Sequence, residues 1–474
     1  VWLEVGEHGV PVDAVAQALE KVLLDVAPVV IDAGTDVVGA ARAFLDAAGD
    51  ITLVPATNLG ADPIGSALRA ETEPGLDGLV EVAKLAHERG VLGVVVDASA
   101  VHDLGASDVQ ELGYAVAVGA AYLRALVDAG LSVDDAAGLI EFRLAATDEQ
   151  FPTIAKLRAV RRLWSRVLEV SGAGADAVDS LRLHAVTSRP MMTKYDPWVN
   201  MLRTCVASFA AGVGGADAVT VLPFDAPLGL PDAFARRIAR NTSSLLIDES
   251  HVAIVADPAG GSHVVEKLTD DMAQAGWSAF TQLEAEGGVL AALPALRERI
   301  DAVVAERDAL VARRKRPITG LSEFPNLAET LPERAPYASG GFRVKSYGHA
   351  FEALRDEPAS EPVFLATMGP VAAHTARATF ASNLFAAGGI ETINEGRHDD
   401  VEAVLAHYRE EKVVCLVGSD SQYAEWGAEL AAALREAGAT WVIVAGQPLE
   451  GADDNAAMGV DALDFLTRTR EKLA

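Results

Sequence analysis

Short β-branched runs alternate with longer amphipathic, alanine-rich segments along most of this chain. Runs of strand character fall at residues 1–5, 29–33, 51–56, 92–98, 141–146, 181–186, 218–224 and 252–256. Helix-length patterns lie between them, among others at residues 36–47, 76–89, 107–127, 150–170, 232–246 and 264–284. Apolar positions at helical spacing mark amphipathic helices, and compact apolar runs bounded by turn residues mark buried strands. Repeated strand-helix units predict parallel strands, and eight in succession favour closure into an α/β fold of the (β/α)8 TIM-barrel type. An open doubly wound sheet is the alternative.

A helical pattern at residues 290–316 follows and ends in Arg313-Arg314-Lys315-Arg316, just before Pro317. Cations in a last helical turn complement the dipole, so this run needs no ligand to explain it; phosphate binding is the other reading. From Pro317 to Pro362 the composition turns to Pro, Gly, Ser and isolated aromatics without a period, as expected of a connecting belt. Alternation then restarts, with strands at 363–367, 391–394, 413–418 and 441–446 and helices near 372–386, 400–410, 422–436 and 462–473. That pattern predicts a flavodoxin-like, Rossmann-like domain. The expected division is a barrel at 1–289, a helix and linker at 290–362, and the C-terminal domain at 363–474. Ligands of such sheets sit beyond the strand C-termini, here near Gly369, Gly418-Ser419 and Gly446-Gln447.

Composition narrows the classes of function. With 474 residues, 50% of them hydrophobic, the chain can bury sizeable cores. A formal charge of −29 argues against nucleic acid or an anionic membrane as partner, since both are met by clustered Lys and Arg. The two cysteines, Cys205 and Cys415, offer neither a disulfide framework nor a Cys-based zinc site, and a cytoplasmic location is expected. The chain opens at Val1 inside a strand-like run, which leads us to expect a preceding segment.

Several motifs occur in a telling order. They are Ser180-Leu-Arg-Leu-His-Ala-Val-Thr-Ser, Asn200-Met-Leu-Arg-Thr-Cys, Phe234-Ala-Arg-Arg-Ile-Ala-Arg-Asn-Thr, Glu249-Ser and Asp257-Pro-Ala-Gly-Gly-Ser-His-Val-Val-Glu. Together with Ala155-Lys-Leu-Arg-Ala, Arg316-Pro-Ile-Thr-Gly and Ala366-Thr-Met-Gly, the chain resembles the adenosylcobalamin-dependent acyl-CoA mutases, methylmalonyl-CoA mutase above all. The resemblance implies a barrel in which a cobalamin-derived radical rearranges a CoA thioester, followed by a cobalamin-binding-type domain.

The same resemblance marks what has changed. The family's Asp-x-His-x-x-Gly motif, whose His ligates cobalt, falls on Val371, Ala373 and Ala376. His374 is adjacent, either as a displaced ligand or as a locally hydrogen-bonded imidazole without the carboxylate that orients a metal-bound His. Asp420 stands near the expected nucleotide-tail position, and Gln447 replaces the second of a glycine pair. In the barrel, the family's catalytic His position is Ala100, with His102 two residues on. Two polar cavity positions have become Ala185 and Val186, and His184 remains in the same run either as a ligand contact or as a satisfied interior histidine. No intact catalytic, metal or cofactor-binding set is therefore expected here.

The resemblance offers a place for such a chain: the small subunit of a heterodimeric mutase, with adenosylcobalamin held by a homologous catalytic large subunit. The belt and the aromatics Trp198, Tyr337 and Tyr347 are the expected partner contacts. The alternatives are an active acyl-CoA mutase with an atypical cobalamin site and a stand-alone CoA-ester-binding regulatory protein.

Overall fold

A computed structural model describes every residue except 7–8, 253 and 338–342. The chain forms two compact units. The first comprises residues 1–192, 200–304 and 332–346, and the second comprises residues 193–199, 305–331 and 347–474.

The first unit is built on a curled, TIM-type sheet of seven parallel strands in sequential order. They are β1 (Trp2–Glu4), β2 (Val30–Asp32), β3 (Asn58–Ala61), β4 (Leu92–Asp97), β5 (Ile140–Ala146), β6 (Arg182–Thr187) and β7 (Ala218–Thr220). Three expectations change. The run at 51–56 forms no strand; β3 is the polar stretch that follows it, in which Asn58 Oδ1 accepts a hydrogen bond from the Gly60 N–H at 2.9 Å. Gly60 is required there, because its φ is +78° and an added Cβ would lie 1.9 Å from the Ile31 carbonyl oxygen. The run at 218–224 contributes only its first three residues to β7.

No eighth strand forms among the described residues of 252–256. Left-handed backbone at His251 and Asp257 brackets the segment. Val252 packs on Ile154, Val213 and Val265 of the outer helices, while Ile254 and Val255 stay exposed.

Helices cover the outside of the sheet. Phe142, on the outer face of β5, packs at 4.8 Å between ring centroids against Trp164 of the helix Gln150–Val170. The helix Asp108–Asp128 carries a complete capping box, with Ser107 and Gln110 satisfying each other's backbone N–H. Its Glu111 is fully buried, accepts from the Ala145 N–H at 2.7 Å, and receives the buried Lys156 ammonium at 2.6 Å. Burial opposes the charge on Lys156, but Asp108 and Glu111 outweigh it and raise its pKa above the ordinary value.

The second unit is a doubly wound domain. Its five parallel strands are β8 (Val363–Thr367), β9 (Thr392–Ile393), β10 (Val413–Val417), β11 (Trp441–Ala445) and β12 (Asp454–Ala456), in the order β12-β11-β10-β8-β9. β12 has no β-branched signal and was not expected from the sequence. Helices lie on both faces, Val371–Ala387 and Ala462–Leu473 on one and Val401–His407 and Ala428–Glu436 on the other. The belt is less irregular than its composition suggested: it holds a helix, His349–Asp356, anchored by buried Phe351 and Arg355. The Arg355 guanidinium lies 4.0 Å from the Tyr195 ring centroid and 2.6 Å from Glu329.

Removing one member of a buried ion pair leaves an uncompensated charge, which costs about 3–5 kcal/mol. Lys156→Met should therefore lower stability in urea by that amount. Adding Glu111→Gln should recover much of the loss; an equal loss in the double variant would mean that the stranded carboxylate is not its source.

Candidate functional site

Barrel enzymes place their chemistry at the C-terminal ends of the strands. In this chain that end is filled by side chains that pair with one another, although among the described residues Arg143 Nε and Nη2 are left buried without a hydrogen bond. Alternation along β5 turns Glu141 and Arg143 away from Phe142 and into the sheet's interior. Arg143 is 2% exposed, and its Nη1 lies 3.2 Å from Asp32 and 3.3 Å from Asp97. Its guanidinium stacks 4.4 Å from the centroid of Trp2. Arg69, from the helix Pro63–Ala70, donates to Asp103 at 2.7 Å, Asp97 at 3.1 Å and Ser99 at 2.8 Å. Arg189 adds a contact to Asp103 at 3.3 Å. Along the same interior face, Glu141 takes Arg182 at 2.9 Å and faces His184 Nδ1 at 3.6 Å, while His184 Nε2 meets Thr220 Oγ1 at 2.8 Å.

Four carboxylates, Asp32, Asp97, Asp103 and Glu141, thus meet four guanidiniums, Arg69, Arg143, Arg182 and Arg189. Burial alone would raise the pKa of Asp97, but Arg69 and Arg143 hold it well below the carboxylate range. Burial also lowers the pKa of His184, although Glu141 opposes the shift. Asp62 is the exception. Burial, with the nearby charge of Asp97, pushes its pKa up to about 7, although it accepts from the Tyr122 hydroxyl at 2.6 Å.

The residues singled out in the sequence are dispersed through this interior. Ala100 is buried on the short helix Ser99–Asp103 and lines a cavity of about 180 Å³ with Leu68, Arg69, Leu104, Ile300 and Arg343. His102, on the same helix, has Nε2 2.6 Å from Ser188 Oγ and Nδ1 3.5 Å from Glu111. Ser, His and acid follow in the order of a hydrolase triad. All three are buried, however, and Lys156 already neutralises the Glu111 carboxylate. Val186 shares the interior face of β6 with His184, whereas alternation turns Ala185 to the opposite face. Of the expected partner contacts, Trp198 is 47% exposed. Tyr337 donates to the Ala226 carbonyl, and Tyr347 lies between Arg307 and Arg316.

In the C-terminal domain, Val371, Ala373 and Ala376 all lie on the regular helix Val371–Ala387, and none of the three side chains carries a group that ligates a metal. His374 points inward at 5% exposure, with Nδ1 3.2 Å from the Gly369 carbonyl, and among the described residues no carboxylate orients it. Sequence reasoning missed His398. Thr367 Oγ1 spends its proton on the Gly396 carbonyl, so it must accept from His398 Nδ1 at 2.7 Å, leaving Nε2 as a buried, bare acceptor. Among the described residues, no group of three or more His, Cys, Asp or Glu side chains could hold a metal ion. Arg377 and Tyr423, also missed, occupy the strand ends: Arg377 donates to the Gly418 carbonyl at 2.6 Å and pairs with Asp420. These residues do not fit a cobalamin.

Comparison with known proteins agrees with this architecture. The family profile of methylmalonyl-CoA mutase matches residues 3–356. The methylmalonyl-CoA mutase small subunit of Streptomyces virginiae is 48% identical, over all of this chain and 80% of its own length. A probable methylmalonyl-CoA mutase small subunit of Mycobacterium bovis is 45% identical over 94% of this chain and 75% of its own length. The small subunit from Propionibacterium freudenreichii subsp. shermanii is 38% identical over 99% and 78%.

The Asp62 environment sets a pH dependence. Its folded pKa of about 7 exceeds the ordinary value of 3.8, so the folded state binds the proton more tightly. Stability from this group is complete below about pH 4 and is lost as pH rises through 7, by on the order of 4 kcal/mol. Asp62→Asn keeps the helix cap and should remove that slope. Urea titrations of both proteins at several pH values would reveal it, and parallel curves would contradict the assignment.

Proposed function

Because this chain belongs to the methylmalonyl-CoA mutase family, a family of cobalamin-dependent isomerases, we propose that it is the small subunit of a heterodimeric mutase. In this reading it performs no chemistry itself. Its role is to pair with a homologous large subunit, which holds adenosylcobalamin and interconverts methylmalonyl-CoA and succinyl-CoA, and to stabilise that subunit's fold. The observation that carries the reading is the barrel interior. Where a barrel enzyme opens a cavity toward its substrate, Arg143, Asp97, Arg69 and Asp103 bind each other.

A polar group already spent on a buried internal partner can turn to a substrate only by breaking that bond, at a cost of several kcal/mol. Such an interior suits a scaffold better than a catalyst. The absence, among the described residues, of any helix long and apolar enough to cross a membrane is compatible with assembly in the cytoplasm. Obligate subunit pairs commonly bury more than about 2,000 Å².

Co-expression with the large subunit tests the reading. The pair should co-purify and turn over methylmalonyl-CoA, and the large subunit alone should be less stable or less active. This chain alone, supplied with adenosylcobalamin, should show neither turnover nor the spectral change of a bound corrinoid. Turnover by the isolated chain would refute the proposal.

A further inference from the structure

Along the helix Val371–Ala387, His374, Ala378, Ser382 and Ala386 recur every fourth residue and so form one row on a single face. The row overlooks β9, the edge strand of its sheet. Thr392 and Asn394 face it from that strand's side, while Ile393 between them packs into the core on the opposite face. Alanine and serine are too short to close the distance between the layers, and a cavity of about 530 Å³ remains. Ligand cavities commonly enclose about 300–1,000 Å³. Pro325 and Leu327 form the third wall. Their segment is held by Asn383, whose Oδ1 accepts from the Phe324 N–H at 2.9 Å and whose Nδ2 donates to Glu323 at 3.0 Å.

What marks this space as a site is His374, a residue 5% exposed that lines it. The Gly369 carbonyl can only accept, so Nδ1 carries the proton. Nε2 of the neutral ring is then a bare acceptor, with no partner among the described residues. The other polar walls offer the complement. Asn394 spends Oδ1 on the Gly396 N–H, which leaves its amide protons free. Ser382 and Thr392 share one hydrogen bond at 3.1 Å, so the accepting hydroxyl keeps a proton to give. Thr379 adds a hydroxyl with no partner among the described residues. No Asp, Glu, Lys or Arg lines the cavity, in a chain of which 23% is charged. A charged ligand would therefore be desolvated there without a counter-ion. Uncharged groups that both donate and accept, set on adjacent carbons, meet these walls, and the ring that carries them meets Ala378, Leu327 and Ile390. We infer that this cleft binds a neutral ring bearing vicinal hydroxyls, as in a monosaccharide or the ribose of a nucleoside.

The test uses the full chain and saturation-transfer NMR, with methyl β-D-glucopyranoside, methyl β-D-ribofuranoside and adenosine titrated to about 10 mM. Signal should pass to at least one of them; transfer to the glycosides identifies a sugar site, and transfer to adenosine alone a nucleoside site. Ribose 5-phosphate, which adds charge, and tetrahydrofurfuryl alcohol, which lacks the diol, should bind at least about tenfold more weakly. Thr379→Trp, at an exposed position of the wall, should block the cleft. His374→Phe should keep the volume while removing the acceptor. Each should weaken binding at least about tenfold. Because Thr379 is exposed, its variant should melt as wild type does, and it decides the matter if His374→Phe fails to fold. Absence of transfer to every neutral diol, equal binding of ribose 5-phosphate, or binding unchanged in Thr379→Trp or in a folded His374→Phe overturns the inference.

Discussion

The buried guanidinium of Arg143 is the constraint around which the interior of the first unit is arranged. A charge that is 2% exposed is tolerable only if it is paired, and the partners must come from whatever the fold brings close. Asp32 arrives on β2 and Asp97 on β4. Asp97 then needs a second cation to stay ionised in a buried setting, and Arg69 supplies it while also reaching Asp103 and Ser99. Each step recruits a residue from another strand or helix, so the network reads out the register of the sheet. A shift of one residue along β5 would send Arg143 outward toward the helices and bring Phe142 inside.

The second unit solves a similar problem with a neutral side chain. Strand C-termini in an open sheet present unpaired carbonyl and N–H groups, which a ligand ordinarily satisfies. The Tyr423 hydroxyl accepts from the Gly418 N–H and shares its single proton between the Ala445 and Leu416 carbonyls, and Arg377 donates to the Gly418 carbonyl. In both units the space at the strand ends is occupied by polar groups that bond to one another, in the first unit incompletely, since Arg143 Nε and Nη2 are buried without a partner among the described residues. That differs from what substitutions such as Ala185 and Val186 suggest when read alone.

Much of the architecture was legible because its strands are buried on both faces and therefore read as continuous β-branched runs, as in Val363–Thr367 and Val413–Val417. The misreadings share a cause. β3 carries Asn58 and Gly60, and β12 reads Asp-Asn-Ala, so neither offers an apolar signal; their places in the sheet come from neighbouring strands and local hydrogen bonds. The 252–256 run has the signal but spends Val252 on the outer helices. Sequence could flag Asp420 and Gln447 as intrusions into a pocket. It could not show that Arg377, one helical turn beyond Ala373, and Tyr423, five residues after Gly418, meet each other, because the contact joins two helices that follow different strands. The Arg143 network was hidden for the same reason. Its members are 111 and 46 residues apart in sequence, and an isolated Arg in a strand looks like a surface residue.

Interiors built on ion pairs are seldom the most stable available, since apolar side chains of similar volume often match or exceed them. Their retention here needs another explanation, and geometry supplies one. An apolar filling would tolerate several packings, whereas Arg143 stacked on Trp2 and bonded to two strands accepts only one. Ligand binding stabilises a native state by an amount that grows with the logarithm of ligand concentration over dissociation constant. A chain whose strand ends are already occupied by its own side chains forgoes that source there, so its rigidity must come from within. Internal pairing at both sheets supplies it.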